Sequence, residues 1–270
     1  MNNLYRKYDL LIDYIRNLGS VAVAFSGGVD SSFLLKAARD AVGDKSSAVI
    51  CRLSSFQSTE YEQAVRFCND SNISCTALNI NELEDDEFCK NPPDRCYICK
   101  KRIFGKIKDF AVSSGLSYVI EGTNADDVND YRPGMRALAE LEIKSPLREI
   151  GFTKDEIRIL SKEFGLPTWN KPSLACLSTR IPYGDRITEQ KLRMVENAEN
   201  YLYEMGFSQL RVRVHGNTAR IEIPPDDFMK IINDRIVVTE KLRQMGFLYV
   251  TLDLLGFRSG SLNETLNQKP

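Results

Sequence analysis

The sequence predicts an α/β fold: a doubly wound parallel sheet with a smaller C-terminal α+β domain. Three patterns predict it. Up to about residue 185, short apolar runs alternate with segments of helical period, as strand–helix–strand units of a parallel sheet do. The first run, Val21-Ala22-Val23-Ala24-Phe25, leads straight into Ser26-Gly27-Gly28 and then a helical stretch carrying Phe33, Leu34, Ala37, Ala38 and Ala41. From Ile187 the order becomes helix, strand, strand, helix, strand. The expected domains are 1–185 and 186–260, with a loose polar tail over 261–270.

The elements follow in order. Leu4, Tyr8, Leu11, Ile12 and Ile15 predict an amphipathic helix over 4–18. Ser47–Leu53 reads as the second strand, 59–69 as a helix capped by Ser58 or Thr59, and Cys75–Ile80 as the third strand. Pro92-Pro93-Asp94 predicts a loop and 100–114 a helix. The fourth strand, Leu116–Ile120, ends on Glu121-Gly122-Thr123. Ligands of such sheets bind at the carboxyl ends of the strands, so both glycine turns are expected to face one pocket. Thr153-Lys154-Asp155-Glu156 opens a helix that reaches Phe164 and stops at Gly165. Residues 166–184, with three prolines and the only tryptophan, predict a long structured loop of the functional kind. Beyond it come a helix to Met205, a hairpin across Gly216-Asn217, a helix over 226–244 and a strand over 247–254.

Composition narrows the class. With 43% apolar and 27% charged residues, the 270-residue chain can bury an ordinary core. Its 36 basic and 37 acidic residues give no excess for a broad nucleic-acid surface. No apolar run is long enough to cross a bilayer, and the N-terminus lacks a signal-peptide core. The expected location is therefore the cytoplasm, where the seven cysteines act as thiols, ligands or catalysts rather than disulfides. The single histidine, His215, excludes two-histidine mechanisms.

Strand, glycine turn and helix make a phosphate cradle: backbone N–H groups close on an anion and the helix N-terminus adds its dipole. Ser26, Ser31 and Ser32 add hydroxyls, and Asp30 can cap the helix or face a metal. A Walker A lysine is missing, Lys36 lying a turn too late. Cys96-x-x-Cys99 suits one metal centre; a redox pair, a zinc site completed by Cys89 and Cys176, an iron–sulfur cluster or two plain thiols all fit that spacing. Cys51, Cys68 and Cys75 read as small buried hydrophobes. Cys176 lies beside Ser178, Thr179 and Arg180, whose donors can favour a thiolate and hold an anion, unless it is an inert buried thiol. Arg211 and Arg213, two apart on a strand, share one face.

The hexapeptide Ser26-Gly27-Gly28-Val29-Asp30-Ser31 resembles the signature of PP-loop ATP pyrophosphatases, whose sheet belongs to the adenine nucleotide alpha hydrolase-like class. Further motifs narrow the likeness: Pro93-x-x-Cys96-Tyr97-x-Cys99-Lys100, Glu121-Gly122-Thr123-Asn124-x-Asp126-Asp127, Arg132-Pro133-Gly134, Ser145-Pro146-Leu147, Trp169-x-Lys171-Pro172-x-x-Ala175-Cys176-Leu177 and Arg211-Val212-Arg213-Val214-His215-Gly216. Together they resemble the LarE family of ATP-dependent sulfur transferases. The resemblance implies adenylation of a carboxylate of pyridinium-3,5-biscarboxylic acid mononucleotide with ATP and Mg²⁺, then replacement of oxygen by sulfur, for the nickel-pincer cofactor of lactate racemase. Ser26, Gly27, Gly28, Asp30 and Ser31 are then expected to hold pyrophosphate and metal, Gly122 and Thr123 to line the nucleotide pocket, and Asp126 or Asp127 to lie near the metal. Arg211 and Arg213 are expected to grip the substrate phosphate. Glu199 and Glu222 match acidic positions of the family without a derivable role. One version of the family sacrifices a single cysteine. The other holds a 4Fe-4S cluster on three, matching Cys96, Cys99 and Cys176, and this chain has all three. The resemblance further implies a homo-oligomer.

Three rivals remain at this level. A tRNA-thiolating enzyme predicts an added RNA module and a basic face, neither of which is evident. An amidating synthetase leaves Cys176 without a task. A zinc-stabilised nucleotide sensor predicts colourless, zinc-loaded protein.

Overall fold

The computed structural model describes residues 2–129, 133–172, 175–258 and 260–264. Arg132 of the Arg-Pro-Gly motif lies outside the described residues, as do Ser173, Leu174 and 265–270. The chain divides into two compact units, one of residues 1–81 and 96–174, the other of 82–95 and 175–270. The segment 82–95 thus folds with the C-terminal part, and so do 175–185.

The first unit holds α1 (Asn2–Leu18), β1 (Val21–Ala24), α2 (Val29–Val42), β2 (Ser46–Arg52), α3 (Ser58–Asp70) and β3 (Cys75–Asn79). The second unit's α4 (Asp86–Cys89) intervenes before α5 (Arg95–Ser113), β4 (Tyr118–Ile120), α6 (Gly134–Glu140), α7 (Pro146–Ile150) and α8 (Lys154–Glu163). The first unit's four strands are all parallel, in the order β3-β2-β1-β4. Side chains alternate across this sheet. Val21, Val23, Ala48 and Ile50 pack with Leu11, Phe33, Leu34 and Phe67 of α1, α2 and α3. Ala22, Val49 and Val119 pack on the other face with Phe104, Ile107 and Ala111 of α5. The chain builds outward from β1 to β3 and then returns to β1's other edge, which makes the β1/β4 crevice the topological switch point.

Several boundaries differ from expectation. α5 starts at Arg95, five residues early, because the helix begins directly after the proline pair, where Arg95 N–H donates to Pro92 O at 3.0 Å. This places Cys96 and Cys99 on the helix itself. α3 begins at Ser58, and its N-cap residue is Gln57, whose side chain makes no capping bond. α8 carries a full capping box between Thr153 and Glu156.

In the second unit, α9 (Glu189–Glu204) precedes β5 (Arg211–His215) and β6 (Thr218–Glu222), then α10 (Phe228–Asn233), α11 (Arg235–Gln244) and β7 (Tyr249–Leu252). β5 and β6 are antiparallel across Gly216-Asn217, and β7 joins β6 in parallel. The helix expected over 226–244 is two helices, parted at Asp234. Ser261, expected in a loose tail, is buried and opens a 3-10 turn over Ser261–Asn263. Among the described residues no helix is long and apolar enough to cross a membrane.

Candidate active site

Phe25 N–H donates to Val49 O at 2.9 Å, extending the sheet one residue and delivering Ser26 to its carboxyl edge. Gly27 has φ +72°, and a Cβ there would stand 3.1 Å from the Ala64 Cβ on α3, so both conformation and space demand glycine. Gly28 is the N-cap of α2 and offers no side chain, leaving the first N–H groups of the helix open toward an anion. Ser31 Oγ donates to Gly28 O at 3.2 Å and lies 3.1 Å from Ser26 Oγ, bracing the turn.

The loop after β4 touches this cradle. A Cβ on Gly122 would lie 3.0 Å from Ser31 N, so glycine alone permits the approach. Beside it the buried Glu121 accepts hydrogen bonds from Thr123 Oγ1 at 2.7 Å and from Ser145 Oγ, which gives the Ser-Pro-Leu motif its task. Asn124 Nδ2 donates to Asp30 Oδ1 at 3.4 Å, while Asn124 also accepts from Asp126 N at 2.9 Å and its N–H donates to Asp127 Oδ2 at 3.0 Å. The two glycine turns therefore touch in the first unit, and Asn124 links Asp30, Asp126 and Asp127 beside them.

The cations come from elsewhere in the chain. Lys154 Nζ pairs with Asp30 Oδ2 at 2.6 Å, across 124 residues of sequence. Lys171 Nζ donates to Gly27 O at 3.1 Å, across 144 residues, to Gln63 Oε1 at 2.9 Å, and pairs with Glu60 at 2.8 Å. Arg158 holds the strand of chain that presents Lys171, donating to Trp169 O at 3.2 Å and Lys171 O at 3.1 Å. Sequence reasoning missed both lysines in this place, since their partners lie 124 and 144 residues away in the chain. The Trp-x-Lys-Pro motif was the available signal for Lys171. A hard cation such as Mg²⁺ takes one or two carboxylates and completes its shell with substrate phosphates, and Asp30 with Asp126 fits that donor set.

Cys96 and Cys99 lie at i and i+3 of α5, on one helix face, exposed and half-buried respectively. Around Tyr97 between them, Arg136 stacks 3.6 Å from the ring centroid and the hydroxyl donates to Glu140 at 2.8 Å. The pair offers soft ligands suited to iron or zinc. Cys176 belongs to the second unit. Among the described residues no three His, Cys, Asp or Glu side chains are gathered to hold a metal. Cys89 does not complete such a group: its buried thiol donates to Leu83 O at 3.3 Å, and burial pushes its pKa up. Burial likewise pushes Cys51 and Cys68 up to about 12, as expected of inert thiols.

Cys176 sits at the start of a 3-10 turn over Leu177–Arg180, and Arg180 holds that turn from inside. Its guanidinium donates to Ala175 O at 3.0 Å, Cys176 O at 3.2 Å and Thr179 Oγ1 at 2.8 Å, and meets both Glu199 oxygens at 2.9 and 3.0 Å. Glu199 also accepts from Val212 N–H at 2.9 Å. Arg180 thus grips backbone and Glu199 rather than standing open to an anion. Arg213 is similarly engaged, donating to Glu222 Oε1 at 2.6 Å, Thr179 O at 2.7 Å and Ser261 Oγ at 2.7 Å. Glu199 and Glu222, whose roles sequence could not supply, are the buried anions that fix these arginines. Arg211 has softer company, Leu210 O at 2.7 Å and the Phe257 ring at 5.1 Å. Burial, then the nearby charge of Arg180, holds its pKa below the ordinary arginine value.

A parallel sheet whose first strand ends in Ser-Gly-Gly-Val-Asp-Ser at the switch point defines a PP-loop protein. The sequence comparisons sharpen this. The chain is 39% identical over 267 residues to an uncharacterized protein of Synechocystis, covering 98% of this chain and 100% of that one. It is 39% identical over 272 residues to the pyridinium-3,5-bisthiocarboxylic acid mononucleotide synthase of Lactiplantibacillus plantarum, covering 99% and 98%. A more distant relative is the glutamine-hydrolyzing GMP synthase of Brucella melitensis, 26% identical over 212 residues, which are 67% of this chain and 40% of that one. No protein-family profile matches the chain. The chain belongs to the LarE family of sulfur transferases.

Proposed function

We propose that the protein is an ATP-dependent synthase of pyridinium-3,5-bisthiocarboxylic acid mononucleotide, acting in nickel-pincer nucleotide formation. The observation that carries this reading is the near full-length likeness to the Lactiplantibacillus synthase. The first unit's crevice supports it with the parts that adenylation needs. A carboxylate oxygen is a poor leaving group. Attack of the substrate carboxylate on the α-phosphate of ATP releases pyrophosphate and leaves a mixed anhydride, from which sulfide expels AMP. The open N–H groups at Gly28 and the start of α2, with the hydroxyls of Ser26 and Ser31, hold the departing pyrophosphate. Gly122 and Thr123 border the nucleotide, and Asp30 with Asp126 or Asp127 holds Mg²⁺. Arg211, backed by Arg213, takes the substrate phosphate.

Cys96, Cys99 and Cys176 hold a 4Fe-4S cluster in this reading, their soft thiolates suiting iron. When bound, the cluster supplies a reusable place for the sulfide. A cytoplasmic setting, where thiols stay reduced, suits that task. Exposed Met229, Ile236, Val237, Leu254 and Leu255 on the second unit give self-association an apolar surface.

Anaerobic reconstitution followed by assay with ATP, Mg²⁺, sulfide and the biscarboxylate tests the whole. The expected outcome is AMP, pyrophosphate and a product in which sulfur replaces oxygen. Cys96→Ala, Cys99→Ala and Cys176→Ala are each expected to lose the iron. Full iron in Cys176→Ala, or loss of H₂S mass from Cys176 as the dominant result of turnover, refutes the cluster.

A further inference from the structure

We propose that Lys154 is a placeholder cation, which seats its ammonium on Asp30 until a nucleotide-bound metal ion takes that carboxylate and the lysine turns to the phosphates. This rests on the nucleotide reading above and adds a residue which that reading does not use. Lys154 contacts two of the carboxylates nominated for the metal: its Nζ meets Asp30 Oδ2 at 2.6 Å, and its backbone N–H donates to Asp126 Oδ2 at 2.7 Å.

The backbone contact and the side-chain contact differ in kind. Residue 154 is the first residue of α8, directly after the Thr153 cap, so its main chain is fixed by the capping box. Its ammonium ends a flexible four-carbon stem, in an ion pair left 30% and 23% exposed. A pair that water still reaches on both sides binds less firmly than a fully buried one and can be exchanged. The position is also electrostatically odd. A cation in the first turn opposes the helix dipole, and Asp155 and Glu156 beside it supply the anions such a turn favours. A local charge placed against its helix reads as function when a specific partner holds it. Asp30 is that partner, at the opening of α2 where the phosphate cradle begins. The exchange balances charge: the metal replaces the ammonium on Asp30, and the freed ammonium neutralises phosphate.

The test is a titration of Mn²⁺ into nucleotide-free, full-length protein, with the free aquo ion read by electron paramagnetic resonance. Lys154→Met is expected to bind Mn²⁺ about tenfold more tightly than wild type, because no ammonium competes for Asp30. Adding Asp30→Asn is expected to abolish the gain. Lys154→Gln guards against a folding failure of the first variant and is expected to shift affinity in the same direction. In a separate titration with Mg-ATP, Lys154→Met is expected to bind nucleotide about tenfold more weakly, and Lys154→Arg to recover part of the loss. A lysine that merely ties two segments together would also free Asp30 for Mn²⁺ when removed but would leave Mg-ATP binding unchanged, so unchanged Mg-ATP affinity in Lys154→Met overturns its turn to the phosphates. Unchanged or weaker Mn²⁺ binding in both Lys154→Met and Lys154→Gln overturns the placeholder role while leaving ATP binding intact. A wild type that takes no ATP overturns the nucleotide reading itself, and this inference with it.

Discussion

The two units use positive charge in opposite ways. In the first, Lys154 and Lys171 lie at the rim of the crevice with single acidic partners, and their side chains retain 30% and 14% exposure. In the second, Arg180 and Arg213 are 1% and 7% exposed, and each meets a carboxylate with no exposure at all. Breaking a fully buried pair strands a charge in low dielectric, whereas a pair that water partly reaches, such as Lys154–Asp30, can take on a ligand at smaller cost. Lys154, the more exposed of the two lysines, is thus suited to changing partners. The arginines are suited to holding the Cys176 turn and the β5–β6 hairpin in one shape.

Three substitutions measure that contrast by urea unfolding of the full chain, followed by far-UV circular dichroism. Glu199→Ala is the severest, since it leaves Arg180 buried without its anion; a loss of about 3–5 kcal/mol is expected. A loss under about 1 kcal/mol would mean that water reaches the pair, and the contrast would vanish. Glu222→Gln keeps the shape but removes the charge shared by Arg213 and Arg220, and about 1.5–3 kcal/mol is expected. Lys171→Met retains the stem and forgoes Glu60, Gln63 and Gly27 O; about 1–1.5 kcal/mol is expected, since the pair with Glu60 is only 14% exposed on each side. A larger cost there would make Lys171 as structural as the arginines.

Much of the first unit was legible because its signals are local. Val21 to Ala24, the serine–glycine turn and the apolar period of α2 announce strand, cradle and helix within a few residues. The likeness of Glu121-Gly122-Thr123 to a second rim of the same pocket follows from strand order alone. The charges were not legible, since Lys154 and Lys171 reach Asp30 and Gly27 only through tertiary folding. Arg213 shows the reverse failure. Its strand position was read correctly, but the depth of its burial depends on Glu222 and on Ser261, a residue whose polar surroundings suggested a loose tail. The division at Asp234 was hidden for a similar reason: the apolar period continues through Ile231, Ile232, Ile236 and Val237 while the backbone turns.

The route of the chain limits how this molecule can be dissected. It leaves the first unit after Asn81, returns at Cys96 and departs again after Leu174. A single cut therefore releases neither half whole. A fragment ending at 174 keeps the arm 82–95, with Phe88 and Cys89 stripped of the core that buries them. A fragment beginning at 175 lacks Asn91, whose side-chain amide bonds Ile181 O, Pro182 O and Asp185 O. Gene shuffling that trades the C-terminal portion between relatives must carry this arm along, so the two portions are expected to be inherited together rather than exchanged as cassettes.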